Sequence, residues 1–313
     1  MRSFYAEEPG QVLSTAIDKY IYVVVKRQIG IVEYKYRINW SRVEFRNTIE
    51  DIEHPIVREA LKLFKIDFPI EITTFADVPS NTGLGSSSAF AVGLVNALYA
   101  MNNQRVTKYS LATEAAAIEL DVLERTMGKQ DHFASSYGGF NIYTFNADET
   151  VTVDPVHYDT SVVESLNAHL MLFYMGDQRD ASEVLKAQEA VAADKEKTLT
   201  AMSALVEPMV EILSGRGNLA DVGPMLHESW LLKRSITEKI SNHRVDEAYR
   251  IAMDAGATGG KLAGAGGGGF LMLFVEPSRQ DDVVRALSGR PFIKPGFDSS
   301  GSRITYYEPD RST

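Results

Sequence analysis

The segment PSNTGLGSSSAF, Pro79 to Phe90, constrains this chain more than any other: a Gly/Ser-dense turn runs into a stretch with apolar residues at helical spacing. Phe90, Leu94, Ala97, Leu98 and Met101 supply the apolar side of the expected helix. Its first N–H groups have no intrahelical acceptor and stand at the positive end of the helix dipole, where an anion is the natural occupant. Gly83 and Gly85 let the backbone approach that anion closely. Ser86, Ser87 and Ser88 add hydroxyls that can cap the helix or touch a phosphate-bound metal. A plain serine-capped helix needs only one of the three.

Two common nucleotide fingerprints do not fit. No Lys follows Gly85, so the GxxxxGK[ST] loop of P-loop enzymes is absent. Gly264, Gly266 and Gly269 in KLAGAGGGGFLMLF spell GxGxxG, but a dinucleotide fingerprint follows a strand and opens a helix. Here an expected helix ends near Gly256 before the glycines, and the strand-like run Phe270 to Val275 comes after them. The glycines instead provide backbone free of side chains, able to press on a ligand or another loop. A flexible linker would suit a surface tract, and the apolar strand beside this one argues against it.

The 313 residues, 44% of them hydrophobic, can bury one large core or two ordinary ones, and two domains are expected. A net charge of −10 argues against general nucleic-acid binding, so a phosphorylated ligand must be held by local groups. With no cysteine, disulfides, thiolate nucleophiles and Cys-ligated metals are excluded. No apolar run reaches membrane-spanning length and MRSFYAEEPG lacks a signal-peptide core, so a cytoplasmic protein is expected, with no membrane partner and as monomer or homodimer.

Alternation and composition predict strands at Tyr20–Val25, Gly30–Ile38 and Ile70–Thr74, with a helix near Pro55–Phe64. Helices at Ala89–Met101 and Tyr109–Thr126 and a strand at Tyr137–Phe145 complete a mixed α/β half. The polar region Asn146–Asp159 is the expected boundary, dividing residues 1–155 from 156–313. The second, α+β half reads as a strand at His169–Tyr174, helical stretches at Ala181–Leu213, Leu219–Ile240 and Val245–Asp254, the Gly-rich strand, and a strand at Arg303–Glu308.

A helix over Tyr109–Thr126 puts Leu111, Ala115, Ile118 and Val122 on its apolar stripe, with Glu119 on that side. A carboxylate on a buried face costs several kcal/mol unless paired or metal-bound, which marks Glu119 as a ligand candidate; the alternative is a helix-edge acid paired with Lys129. Asp131, in GKQDHFASSYGGF, reads either as an N-cap or as a second functional acid. A polyphosphate cradle with two spaced carboxylates is what Mg²⁺-dependent phosphoryl transfer needs.

At these residues the chain resembles a known family. PSNTGLGSSSAF is similar to the phosphate-binding motif of the GHMP small-molecule kinases, and KLAGAGGGGF to their C-terminal glycine motif. The segments VLSTAIDKYIYV, GKQDHFASSYGGFN, DASEVLKAQ, LHESWLLKRSI, ISNHRVDEAY, GATGGKLAGAGGGGF and GSRI resemble the D-glycero-D-manno-heptose 7-phosphate kinase branch, covering the chain from about Phe4 onward. The resemblance implies a two-domain α+β GHMP kinase fold, with a left-handed βαβ-type element in the first domain and a ferredoxin-like second domain. It implies ATP as co-substrate, Mg²⁺ as cofactor, and phosphorylation of the anomeric hydroxyl of a heptose 7-phosphate to the 1,7-bisphosphate. A fucose- or galactose-type 1-kinase, or an impaired sugar-phosphate or nucleotide binder, are the alternatives.

On matching positions, Gly83, Leu84, Gly85, Ser86, Ser87 and Ser88 would cradle the ATP phosphates, Ser87 and Glu119 would serve Mg²⁺, and Asp131 would orient or deprotonate the sugar hydroxyl. Gly264, Gly266, Gly267 and Gly268, in the run ending at Gly269, would form an active-site loop. Arg179, Lys261 and Arg303 are candidates for holding substrate phosphate, or else surface ion pairs. The branch usually opens with an Arg-x-Pro-x-Arg strand and a Gly-Gly-Gly-Thr-Asp turn, and this chain starts after that point, at RSFYAEEPGQVLSTAID. The resemblance then implies a late start, a truncation or a lost activity, with an exposed edge near Tyr20–Val25, low stability and weak turnover.

Overall fold

The computed structural model describes residues 2–29, 31–176 and 181–309. They group into two compact units that interleave along the chain. The first comprises Met1–Asp18, Ser80–Leu84 and Gly139–Asp298; the second comprises Lys19–Pro79, Gly85–Gly138 and Ser299–Thr313. The boundary expected between residues 155 and 156 follows chain order, and the contacts follow strand pairing instead.

The first unit opens with a short helix α1 (Arg2–Tyr5) and strand β1 (Gly10–Ile17). In one sheet, β1 pairs antiparallel with β6 (Phe140–Phe145) on one side and β12 (Phe297–Asp298) on the other, and β6 pairs with β7 (Val151–Pro155). Gly10 faces Phe145 and Ala16 faces Asp298, so the sheet draws on both ends of the sequence.

The unit's second sheet has the order β11–β8–β10–β9, from β8 (Leu170–Tyr174), β9 (Ala257–Leu262), β10 (Phe270–Val275) and β11 (Phe292–Ile293). All its neighbours are antiparallel. Helix α6 (Thr160–His169) leads into β8. Helices α7 (Ala181–Val191), α8 (Glu196–Ser203), α9 (Val206–Leu213), α10 (Val222–Arg234) and α11 (His243–Asp254) link β8 to β9, and α12 (Gln280–Ala286) links β10 to β11. This is the strand order of a ferredoxin-like sheet. Phe173 on β8 and Leu271, Leu273 and Val275 on β10 pack with Trp230, Val245 and Ala248 from α10 and α11. A strand buried this thoroughly reads as the near-continuous apolar run FLMLFV.

The second unit holds one sheet in the order β2–β5–β3–β4, from β2 (Ile21–Arg27), β3 (Tyr36–Asn39), β4 (Val43–Arg46) and β5 (Ile70–Ala76). β3 and β5 run parallel, and helix α2 (Pro55–Leu63) lies in the connection between β4 and β5. Helices α3 (Ser86–Met101), α4 (Lys108–Ala117) and α5 (Gln130–Tyr137) complete the unit. Ile38, Ile70 and Ile72 from the sheet meet Val57, Leu61, Leu94, Leu98 and Leu111 from the helices in one core.

Several expected elements differ. The strand expected from residue 30 starts at Tyr36, because the turn and bends before it leave only Tyr36–Asn39 to pair beside β5. Tyr137 ends α5 instead of starting a strand, and Gly138 (φ 66) and Gly139 (φ 67) turn the chain into β6. The stretch Ala181–Leu213 forms three helices with a 3₁₀ turn among them, and Leu219–Ile240 is α10 flanked by 3₁₀ turns. Residues 303–308 form no strand; Ile304, Tyr306 and Tyr307 stay exposed. Strand β1 escaped the sequence reading because GQVLSTAI lacks a clean two-residue alternation. Among the described residues, no helix is long and apolar enough to cross a membrane.

Candidate active site

The glycine-serine segment passes from the first unit into the second between Leu84 and Gly85. Gly85 is the N-cap of α3 in the left-handed region (φ 70, ψ 24), and no side chain caps the helix. The first-turn N–H groups therefore keep their donors free of side-chain caps, as an anion site requires. A Cβ at Gly85 would stand 3.2 Å from Cβ, Cγ and Oδ2 of Asp131, so the Asp131 carboxyl lies directly against the start of α3. Asp131 sits in the first turn of α5, whose N-cap is Lys129; the N-cap role weighed for Asp131 is not the one it has.

The three serines diverge. Ser86 is half-buried, Ser87 Oγ donates to Glu119 Oε1, and Ser88 Oγ is buried with no hydrogen-bond partner. None acts as a cap, and of the three only Ser87 has a side-chain partner among the described residues.

Glu119 does not lie on a continued α-helix. Helix α4 stops at Ala117 and passes into a single π-turn, Ile118–Val122. Such turns re-aim side chains and recur at functional sites. The turn drives Glu119 fully inside, at 0% exposure, and its partners replace the Lys129 pairing considered from the sequence. Arg125 Nη1 lies 2.5 Å from Glu119 Oε1 and 3.0 Å from Ser87 Oγ, while His132 Nε2 lies 2.8 Å from Glu119 Oε2. Burial by itself would raise this carboxyl's pKa. The hydrogen bonds from His132 and Ser87 and the charges of His132 and Arg125 outweigh it and leave the pKa below the usual range. Glu119 is thus a charged acid kept in a dry place.

Behind this cluster, His54 N-caps α2 by accepting from Val57 N and packs between Trp40 and Phe90, with ring centroids 4.8 and 4.9 Å away. Burial, helped by Arg125 and opposed by Glu44 and Glu119, brings its pKa down to about 4, so the imidazole is neutral at pH 7. Buried Glu44 accepts from Trp40 Nε1 (2.9 Å), Glu53 N (2.6 Å) and His54 N (3.2 Å), fixing the loop that presents His54.

In the first unit, the glycine run is a lashed loop and not a linker. Gly264 (φ +68) packs against Gly83 (φ +81): a Cβ on Gly264 would meet Gly83 Cα at 2.6 Å, and one on Gly83 would meet Ala263 O at 2.7 Å. Phe270 N donates to Thr82 O (3.1 Å). Three helical or loop side chains hold the run's carbonyls: Gln188 Nε2 on Ala265 O (2.7 Å), Asn242 Nδ2 on Gly267 O (3.0 Å) and Lys233 Nζ on Gly264 O. Gly267 N donates to Ile240 O (2.8 Å), and Gly266 presses on the same residue. Gly268 is half-buried.

Of the candidate phosphate-holding residues, Lys261 belongs to the first unit and Arg303 to the second. Lys261 is on β9, half-buried, and burial lowers its ammonium pKa. Arg303 is exposed in the second unit, its guanidinium 5.8 Å from the Tyr20 ring centroid. Arg179 falls outside the described residues.

Sequence reasoning missed Arg125, His132, Gln188, Lys233 and Asn242. The last three stand in the quoted segments DASEVLKAQ, LHESWLLKRSI and ISNHRVDEAY, whose role is to clamp the glycine run. His132 adjoins Asp131 in GKQDHF, and nothing in the sequence around Arg125 distinguishes it.

Among the described residues, no group of three or more His, Asp or Glu side chains forms a metal cage. What Ser87 and Glu119 offer is a hydroxyl and a charged carboxylate converging on one point, already shared by a guanidinium nitrogen. That donor set suits Mg²⁺, which takes one or two carboxylates and completes its shell with phosphate oxygens and water.

Residues 55–139 match the GHMP kinases N terminal domain and residues 201–294 the GHMP kinases C terminal domain. The chain is 30% identical over 289 residues to a D-glycero-alpha-D-manno-heptose 7-phosphate kinase of Campylobacter jejuni, covering 89% of this chain and 85% of that one. It is 28% identical to a mevalonate kinase of Pyrococcus horikoshii over 72% of this chain and 65% of that one. Among solved structures, a D-glycero-D-manno-heptose 1-phosphate kinase from Bacteroides thetaiotaomicron shares the fold, with a TM-score of 0.75, 23% identity, and 96% and 92% of the two chains covered. By both domain matches and the 30% relationship, this chain belongs to the GHMP kinases and is an ATP-dependent kinase.

Proposed function

We infer that the chain transfers the γ-phosphoryl group of ATP to the anomeric hydroxyl of D-glycero-D-manno-heptose 7-phosphate, yielding the 1,7-bisphosphate. The observation that carries this reading is the convergence of Asp131, Ser87 and buried Glu119 on the uncapped start of α3. The choice of sugar rests on the 30% identity to the Campylobacter heptose 7-phosphate kinase. Backbone from Gly83 to Ser88 cradles the phosphates. Ser87 and Glu119 would hold Mg²⁺, which would supply positive charge to offset that of the phosphates. Asp131 orients the hydroxyl and accepts its proton as the oxygen bonds to the γ-phosphorus and the bond to the bridging oxygen of ADP breaks.

The test is ADP release with D-glycero-D-manno-heptose 7-phosphate, free galactose, free fucose and mevalonate side by side. Turnover with the heptose phosphate at least about 100-fold above the others in kcat/KM is expected. A preference for a free hexose would reassign the enzyme to another sugar 1-kinase specificity, and nucleotide binding without turnover of any acceptor would reject the catalytic reading.

A further inference from the structure

The two oxygens of Glu119 have different fates. Oε2 faces inward and is fixed by His132 Nε2 at 2.8 Å, with both side chains at 0% exposure. Oε1 faces Ser87 and is bonded by Arg125 Nη1, which also reaches Ser87 Oγ. The guanidinium therefore occupies the position from which a cation would contact the hydroxyl and the carboxylate together. A divalent ion bound through those oxygens needs contacts near 2.0–2.1 Å. A divalent ion and the guanidinium both seated on Oε1 and Ser87 Oγ would repel each other, and more strongly in a partly dry site than in water.

Arg125 is able to leave. Its side chain is 36% exposed, and it stands past Glu124 (φ 51) in a stretch, residues 123–129, without regular structure. Beyond it, Gly128 has nothing within 4 Å of its Cβ position. Glu119, by contrast, has no second position, because His132 pins it from behind.

We propose that Arg125 is a resident counter-cation that neutralises Glu119 in the nucleotide-free enzyme and must be displaced when metal-nucleotide binds, so that this residue sets the metal requirement of the enzyme. The proposal rests on the reading that Ser87 and Glu119 hold the divalent ion. Arginine suits the part: always charged and held by two hydrogen bonds, it gives a definite resting geometry, while its exposed stem allows exchange.

The experiment measures Mn²⁺ binding by the loss of the free-ion electron paramagnetic resonance signal, on the full chain with a saturating β,γ-imido analogue of ATP. R125Q should bind Mn²⁺ about 5- to 10-fold more tightly than wild type, and R125K, which keeps the charge but not the guanidinium, about 2- to 3-fold more tightly. R125K carries the test if R125Q fails to fold. E119Q should weaken Mn²⁺ binding, and E119Q/R125Q should bind no better than E119Q. If E119Q weakens binding while neither Arg125 variant tightens it, the counter-cation proposal is overturned and the metal reading stands. If E119Q leaves Mn²⁺ affinity unchanged, the metal reading itself fails.

Discussion

Glu119 Oε2 and His132 Nε2 lie 2.8 Å apart with both side chains closed to solvent, so the inner oxygen of the candidate metal-binding carboxylate is fixed by the residue next to Asp131. One helix start, that of α5, thus positions both acids of the site. Replacing His132 with Phe would leave Glu119 Oε2 buried without its partner, at a cost of about 1–3 kcal/mol. Chemical denaturation should register that loss. Steady-state kinetics should register a raised Mg²⁺ requirement beside it, with His132→Gln recovering part of both.

Asp131→Asn keeps the shape against Gly85 but removes the proton acceptor. Its kcat should fall by ~10²–10⁴, with the KM for ATP little changed. The lower end would be expected if positioning dominates, as is common in phosphoryl transfer. Near-wild-type kcat would remove Asp131 from the chemistry.

His54 gives an acid-side stability effect. Its folded pKa of about 4 lies below the ordinary histidine value of 6.5, so between these values the unfolded chain binds more protons than the folded one. The stability that neutral His54 contributes is complete above pH 6.5 and is lost as the pH falls toward 4, by on the order of 2–3 kcal/mol. His54→Asn preserves an N-cap side chain and cannot titrate. Thermal unfolding from pH 7.5 to 4.5 should show a shallower decline for the variant than for wild type.

Glu119 acts in the same direction at lower pH. Its folded pKa is depressed below 4.5, so its contribution is present above 4.5 and disappears as the pH falls through the folded value. Glu119→Gln should be less stable than wild type at pH 7 and should converge on it in strong acid, as read by denaturant midpoints across that range.

Gly264→Ala combines a left-handed backbone (φ +68) with a Cβ 2.6 Å from Gly83 Cα. Gly289→Ala is the matched comparison, with φ +82 and nothing within 4 Å. The Gly289 variant should lose about 1 kcal/mol from the backbone alone, and the Gly264 variant at least ~2 kcal/mol more from the forced separation of the two chain segments. Equal losses would mean the approach of Gly264 to Gly83 is not confining.

The segments that form the candidate site are legible in the sequence because their signals are local. A glycine-serine turn before an apolar-periodic helix identifies the start of α3, and an acid on an apolar stripe marks Glu119 as special. What escaped depends on geometry that spacing does not encode. The π-turn at Ile118–Val122 changes where Glu119 points, and the meeting of Arg125 with Ser87 is made by an irregular stretch. Likewise SRITYYEP has the composition of a strand, but β-propensity reflects fit to a half-buried pleated surface, and Ile304, Tyr306 and Tyr307 have none to pack on. The weakly patterned GQVLSTAI is a strand because β6 and β12 flank it.

The pairing of Ala16 with Asp298 also governs how this protein is made. As the chain leaves the ribosome, β1 emerges well before its flanking strand β12, with β2 to β11 synthesised in between. Domains that fold one after another from the N-terminus avoid such waiting. Here the nascent strand carries an unpaired edge until β12 follows, and that edge is open to pairing with other chains. Premature termination anywhere before Phe297 would leave a product whose opening strand never gains its second neighbour. Truncated or stalled chains should therefore depend on chaperones more heavily than the finished protein does.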